Sequence, residues 1–402
     1  MYENPTASDC GTTPDPYAAV KRPIAQARGL PNDAYTSEAH WKAERDKLFA
    51  RTWTCIGFAS DLPKGAYAQP LDFMGMPLVV LQDTGGAARV FHNVCSHRGQ
   101  RLVAGSGPVK GSLRCPYHSW TYDLQGRLRG TPHIGGTGVH QLEGFDCSGH
   151  GLKVIRSEIW MDMIFVDLSG DAPSFEEHVA PLMQRWNEFW GDSFDRYKRV
   201  GQDDGMELEL NANWKLAIEN YCESYHLPWV HPGLNSYSRL EDHYNIMVAD
   251  RFSGQGTCVY QLPAIGDRLP QLDAWPRDKL RNAEYIALYP NVMLGVHVDQ
   301  FFAIKLDPLA PDRTGESMRL YYVETDRTDA NFDATRQSLL DSWRAVFVED
   351  VGIVEGMQAG RNSPGFDGGL FSPVMDEANH HFHQWVARTM STQATAPGRC
   401  SP

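Results

Sequence analysis

At 402 residues the chain suits two domains, or one domain carrying a substantial insertion, and it is long enough to bury a real core. Its 50 acidic against 37 basic residues give a formal net charge of −13, which argues against nucleic acid or an anionic membrane as a partner and leaves room for a basic electron-transfer protein. No apolar run approaches the roughly 18 residues of a membrane helix, and the amino terminus lacks a secretory apolar region, so a soluble, cytoplasmic protein is expected. Eight cysteines scattered over so long a chain do not suggest a disulfide framework.

Residues 1–36 are rich in Pro, Thr, Ala and Asp without periodicity and read as an extended arm. Ser37 can then cap a helix in which Trp41, Leu48 and Phe49 stand at i, i+7 and i+8, although Glu44 and Arg45 interrupt the stripe. Residues 1–52 are thus an arm and helix expected to pack on the carboxy-terminal domain. From Trp53 to Ser169 the pattern changes to short β-rich runs, MPLVVLQD, ARVFHNV, SLRCPYHSWTYD and IWMDMIFVDL, separated by glycine turns such as DTGGAA and LQGR. That predicts a small all-β domain over 53–169.

Over 170–402, MELELNANWKL predicts a strand running into the helical LAIENYCESYH. YIALYPNVMLGVHV, QFFAIKLDPL and MRLYYVETD alternate as strands, and helices are expected over about 331–357 and 377–390. The fold class is therefore α+β, an all-β domain inserted before a helix-flanked antiparallel-sheet domain.

Within the β-rich part, Cys95 and His97 in CSHRG are followed, 17 residues after His97, by Cys115 and His118 in CPYHSW. Each pair falls near a predicted hairpin tip, where two loops can converge on one metal centre, and thiolate sulfur with imidazole nitrogen suits zinc or iron–sulfur chemistry. Zinc fingers with two of each residue group like with like before a helix; here each arm carries one of each in a β setting. In a Rieske [2Fe–2S] centre two cysteines hold one iron and two histidines the other, and CxH, 17 residues, CxxH resembles a Rieske domain.

A cluster that passes single electrons needs a site to receive them, and NWKLAIENYCESYHLPWVHPGL supplies a candidate. His226 and His231 lie five apart, and Pro228 is expected to interrupt any helix between them so that both rings turn to one point. Two histidines near a carboxylate suggest the facial triad of non-haem Fe(II) oxygenases, which leaves positions open for O2.

Nearly the whole chain then resembles the α subunits of Rieske non-haem iron oxygenases, with both motifs in that family's order. The resemblance puts the catalytic histidines at His226 and His231 and the third iron ligand at Asp350 in VEDVGIVEGMQAG, with Glu349 as the competing choice. It puts the carboxylate that orients the first histidine, and reaches a Rieske histidine of the next subunit (His118), at Glu223. Aromatic-ring dioxygenases usually carry Asp there; Glu in ENYCESYH looks more like the subgroup that oxidises quaternary ammonium compounds such as glycine betaine or carnitine.

The implied cofactors are a [2Fe–2S] cluster and mononuclear Fe(II), with O2 as co-substrate. NAD(P)H and flavin enter only through a separate flavin and ferredoxin-type reductase, since no GxGxxG follows a strand and IGGTG at 134–138 lacks the third glycine. A homotrimer, or a hexamer of two, is implied as well. Candidate substrate contacts are Asn220, Tyr221, Trp229 and Tyr289, with Tyr225 and Tyr237 also near the motif; a methylated cation would sit against such aromatic faces. Hydroxylation of an aromatic ring is the competing reaction, and a zinc-stabilised protein with no catalytic role the competing class.

Overall fold

The Ser37 hydroxyl accepts the His40 N–H and so starts a helix at the residue its sequence proposes. This computed structural model describes residues 15–260, 268–325 and 330–392. A one-turn helix α1 (Asp33–Thr36) precedes that capped helix, α2 (Glu38–Lys47). Glu44 breaks the apolar stripe of α2 because its carboxylate is itself a buried partner, 2.6 Å from the equally buried Lys215 Nζ and accepting the Trp214 indole N–H at 3.0 Å.

Ten strands follow: β1 (Thr54–Phe58), β2 (Tyr67–Phe73), β3 (Met76–Gln82), β4 (Ala88–His92), β5 (Gly107–Pro108), β6 (Ser112–Arg114), β7 (Thr121–Asp123), β8 (Leu128–Gly130), β9 (Val154–Trp160) and β10 (Met163–Asp167). Seven form an antiparallel sheet in the order β1-β10-β9-β4-β3-β2-β5, and β6-β7-β8 form a second, smaller one. The motif loops leave the end of β4 and the β6–β7 turn.

A helix the sequence reading did not anticipate comes next, α3 (Phe175–Trp190). Ser174 and Glu177 close a capping box, and Val179, Leu182, Trp186, Phe189 and Trp190 form its buried face; Pro181 within the run obscures that pattern. Eight further strands make one antiparallel sheet: β11 (Tyr197–Lys198), β12 (Gly205–Leu210), β13 (His243–Val248), β14 (Phe252–Thr257), β15 (Ala283–Leu288), β16 (Val292–Val296), β17 (Gln300–Ala310) and β18 (Arg313–Val323). Their order is β11-β18-β17-β16-β15-β14-β13, with β12 also on β18. Between β12 and β13 lie α4 (Trp214–Tyr221), α5 (Leu227–Val230) and α6 (Pro232–Asn235); α7 (Ala330–Arg361) and α8 (Glu377–Ser391) close the chain. The fold is thus α+β, as expected. No described helix is long and apolar enough to cross a membrane.

One apolar cluster runs through both large sheets, joining Phe73, Leu78 and Ile164 to Trp214, Phe302 and Phe382, and a second joins Phe58 and Phe165 to Val292 and Phe301. Asn291 stitches the two together: its side chain accepts the Cys55 N–H and donates to the Cys55 and Leu306 carbonyls at 2.8–3.0 Å.

Beneath α4, Glu219 gathers a buried polar knot from four parts of the chain. The Tyr35 hydroxyl donates to it at 2.5 Å and Arg361 of α7 at 3.2 Å. His383 Nε2 of α8 lies 3.1 Å away, in ion-pair reach but off the line of a hydrogen bond. Burial alone would raise the Glu219 carboxyl, yet His383, Arg361 and Tyr35 outweigh it and hold it at about 2, below its ordinary 4.5. A folded value below the unfolded one contributes stability above about pH 4.5 that is lost as pH falls toward 2. Urea-unfolding midpoints taken from pH 6 down to pH 3, at about half-unit steps, are therefore expected to fall more steeply in the native protein than in Glu219→Gln. Parallel slopes would mean that the carboxylate is not charged in the fold.

Candidate functional site

The two Cys/His loops are closed in the same way although their spacings differ. The Gly99 N–H donates to the Cys95 carbonyl and the Cys95 N–H to that of Gln100; the Ser119 N–H donates to the Cys115 carbonyl and the Cys115 N–H to that of Trp120, at 3.0 and 2.8 Å in each loop. Both closures need a left-handed residue, Gly99 at φ 72° and Ser119 at φ 59°, the second without glycine's freedom. Both thiols are buried while both imidazoles reach outward, their ring centroids 4.7 Å apart.

His97 lies flat on Trp120, and the buried His118 Nδ1 has no partner among the described residues. Tyr122, which no motif pointed to, places its hydroxyl 3.2 Å from the Cys95 sulfur and accepts the Ser96 N–H at 3.1 Å. Two buried thiols, two converging imidazoles and an orphaned ring nitrogen fit a [2Fe–2S] cluster with mixed ligands.

The second centre is built at the end of α4. Glu223 accepts the backbone N–H groups of Tyr225 and His226 on one oxygen, and its other oxygen is 2.6 Å from His226 Nδ1. Pro228 does not interrupt a helix, contrary to the sequence expectation. It sits in the first turn of α5, where its missing N–H has no intrahelical use, and His226 and His231 flank that single turn.

From α7, Asp350 Oδ1 reaches His231 Nε2 at 2.8 Å and His226 Nε2 at 3.8 Å, and one donor atom from each of the three residues lies within 4.8 Å of the others. Glu349 meets His231 from behind, its Oε2 2.7 Å from Nδ1. Each imidazole therefore has a glutamate on Nδ1 and turns Nε2 toward Asp350, an arrangement that fixes the tautomer and leaves two nitrogens and one carboxylate for a metal. Burial would lower the His231 pKa, but Asp350 and Glu349 outweigh it and raise it. The donor set fits a mononuclear iron of the facial-triad type.

A pocket of about 50 Å³ opens on this triad, and Asn220, Tyr221, Tyr285, Phe302 and Trp343 are among its walls. Next to it lies a cavity of about 940 Å³ lined by Tyr237, Tyr260, His297 and Asp299 and, elsewhere on its walls, by Arg268, Arg277 and Arg281. The two voids meet at an aromatic wall: Tyr260 lies parallel to Trp343 at 6.1 Å, and His297 packs edge-on to Tyr260, Tyr285 and Trp343 at 4.5–5.5 Å. Neither ring nitrogen of the buried His297 has a partner among the described residues. Burial raises the Asp299 carboxyl to about 6.

Of the proposed substrate contacts, Asn220 and Tyr221 line the inner pocket, the Tyr221 hydroxyl donating to the Leu294 carbonyl at 2.7 Å. Trp229 and Tyr289 do not reach either void. Two residues from His231 on a helical turn, Trp229 faces away from the triad and is 70% exposed. Tyr289 turns toward α8, stacking on Trp385 at 4.5 Å and donating to Ser253 Oγ at 2.8 Å. Tyr225 is likewise exposed. Other residues that line the two voids, Tyr260, Tyr285, His297, Asp299, Phe302 and Trp343, lie far downstream of the motif, and no local pattern marks them.

Two family models match the chain, "Rieske [2Fe-2S] domain" over residues 52–153 and "Ring hydroxylating alpha subunit (catalytic domain)" over 194–392. The chain is 27% identical over 350 residues to the carnitine monooxygenase oxygenase subunit of Acinetobacter baumannii, covering 84% of this chain and 86% of that protein. It is 28% identical over 374 residues to the chloroplastic choline monooxygenase of Arabidopsis thaliana, covering 90% and 83%. The crystal structure of a quaternary ammonium Rieske monooxygenase in complex with L-carnitine has the same fold, with a TM-score of 0.73 and 23% identity over 93% of this chain and 99% of that one. With both matched parts in one chain, in this order, the protein is a Rieske non-haem iron oxygenase, an α subunit whose cofactors are a [2Fe–2S] cluster and a mononuclear iron that uses O2.

Proposed function

We propose that the protein is the terminal component of a monooxygenase that hydroxylates an N-methyl group, or a C–H next to nitrogen, of a small quaternary ammonium compound. The observation that carries this reading is the wall between the two voids, where Tyr260, Tyr285 and Trp343 supply aromatic rings and Asp299 a carboxylate on the outer cavity beside the triad pocket. A permanently charged ammonium has no N–H to donate, so it is recognised by such faces, at ~2 kcal/mol per desolvated contact, and by a nearby negative charge. Arg268, Arg277 and Arg281 on the same cavity suit a carboxylate at the other end of the molecule. The chloroplastic and bacterial relatives named above act on compounds of this class.

In this reading Cys95, His97, Cys115 and His118 hold the cluster, and His226, His231 and Asp350 the iron. The iron supplies binding and reduction of O2 when present. Glu223 and Glu349 keep Nε2 of each histidine directed inward, Asn220 and Tyr221 line the approach, and the aromatic wall holds the cation. Overall, RCH3 + O2 + 2e⁻ + 2H⁺ gives RCH2OH + H2O, the electrons coming one at a time through the cluster from NAD(P)H by way of a separate flavin-containing reductase. A hydroxyl next to a quaternary nitrogen then collapses to an aldehyde and an amine. Exposed Tyr117 beside His118 and Trp229 beside the iron ligands support a trimer in which each cluster faces the neighbour's iron.

The test is a single turnover of dithionite-reduced protein with O2 and, separately, glycine betaine, L-carnitine, choline and naphthalene. Products are identified by mass spectrometry. Oxidised product from at least one of the three ammonium compounds, with a higher substrate requirement in Asp299→Asn, is expected. Dihydroxylated naphthalene with no product from any ammonium compound would instead establish the aromatic reaction.

A further inference from the structure

A void of about 270 Å³ lies away from both metal centres, between the start of β1, the segment leading into α3, the β13–β14 turn and the last turn of α8. Its charge is unusual for a chain that is negative overall. Arg51, Arg251 and Arg388 line it against the single carboxylate of Asp250, and that carboxylate is already paired with Arg388 at 2.7 Å. Neither Arg51 nor Arg251 forms an ion pair among the described residues, although both are partly buried.

His178 also lines the void. It is 4% exposed, its Nε2 has no partner among the described residues, and burial together with the charge of Arg251 pushes it down to about 3, so it stays neutral and able to donate one hydrogen bond. Thr389 adds a hydroxyl, and the size is near the lower end for pockets that enclose small molecules. Guanidinium groups left without carboxylates in a partly buried site match an acceptor-only ligand with several oxygens.

We propose that this void is a binding site for a small doubly charged oxyanion, held by Arg51 and Arg251 with His178 as a neutral donor. The ligand bridges Arg51, at the entry to the first large sheet, and Arg251, in the β13–β14 turn of the second, so its binding stabilises the junction between them.

Isothermal titration of the full holoprotein with inorganic phosphate and with succinate, against sodium chloride of matched ionic strength, tests it. Saturable binding of either anion, at one site per chain, with a raised thermal midpoint, is expected. Arg51→Gln and Arg251→Gln should each weaken it about tenfold or more, as loss of a charge-assisted hydrogen bond implies, while Arg344→Gln on the exposed face of α7 leaves it unchanged. Should either variant fail to fold, His178→Phe, which keeps a ring in the buried position and removes the donor, is expected to weaken binding by a smaller factor. No binding of either anion beyond the chloride control, or binding indifferent to all of these substitutions, would overturn the assignment.

Discussion

Asp350→Ala is expected to yield a protein that keeps its red-brown colour, loses one of about three irons per chain, and has no measurable oxygenase activity. Asp350 Oδ1 is the one carboxylate oxygen facing Nε2 of both histidines, so alanine leaves two imidazoles and no anionic donor for a divalent ion. The cluster ligands stand on other loops, and the colour, with its bleaching by dithionite, should be untouched. Glu349→Ala separates this from the competing assignment. Because Glu349 meets His231 only at Nδ1, its loss should leave the iron in place and reduce activity by about 10–100-fold, the usual effect of removing a partner behind a ligand. Iron analysis showing that Glu349→Ala loses the mononuclear metal and Asp350→Ala retains it would reverse the two roles.

Glu223→Gln should have the next largest effect and a different signature: both metals retained, turnover reduced at least about 100-fold. The amide keeps an oxygen for the Tyr225 and His226 N–H groups, so the local turn survives, but the negative charge 2.6 Å from His226 Nδ1 is gone. Rapid mixing of reduced protein with O2 and substrate would show slow reoxidation of the cluster at unchanged iron content. If iron is lost in step with activity, Glu223 serves only to hold a ligand. Glu223→Asp is informative too, since shortening the side chain by one methylene opens the 2.6 Å contact while keeping the charge; a rate between those of Glu and Gln is expected.

The candidate metal-binding residues were legible because each motif is local. Two cysteine–histidine loops and an ExxHxxxxH segment carry most of their donors within short stretches, and only Asp350 had to come from the resemblance, since an ED pair on a helix has no distinctive pattern. The walls of the two voids were not legible, because β15, the β16–β17 turn, β17 and α7 bring single residues together from distant positions. Proximity in sequence to the histidines favoured Trp229, and Tyr289, four residues after the pocket-lining Tyr285, turns instead toward α8. On one helical turn, residues beside a ligand point elsewhere, and a strand residue buried among aromatics looks the same in sequence whether it meets a helix or a cavity. Helix α3 was hidden by Pro181 although its capping box stood in plain view, and Glu44 seemed to spoil an apolar stripe because a buried ion pair is indistinguishable from a solvated one until its partner, Lys215, is located.

The Glu219 knot and its surroundings join the two ends of the described chain. Val20 gives its carbonyl to His380, Gly29 its N–H to Gly368, Leu30 its N–H to His383, and Lys47 reaches the carbonyl of Met390. During synthesis the arm emerges long before the helix it docks against, so the surface that α8 offers to Val20, Leu30 and Lys47 is absent until α8 has left the ribosome. The β-rich part between them is built largely from short-range hairpins that can form early, while the arm and α8 meet through contacts more than 300 residues apart in sequence. Docking of α8 on the arm is therefore a late contact in the life of the chain, and an interrupted synthesis would leave the apolar surface that α8 covers exposed.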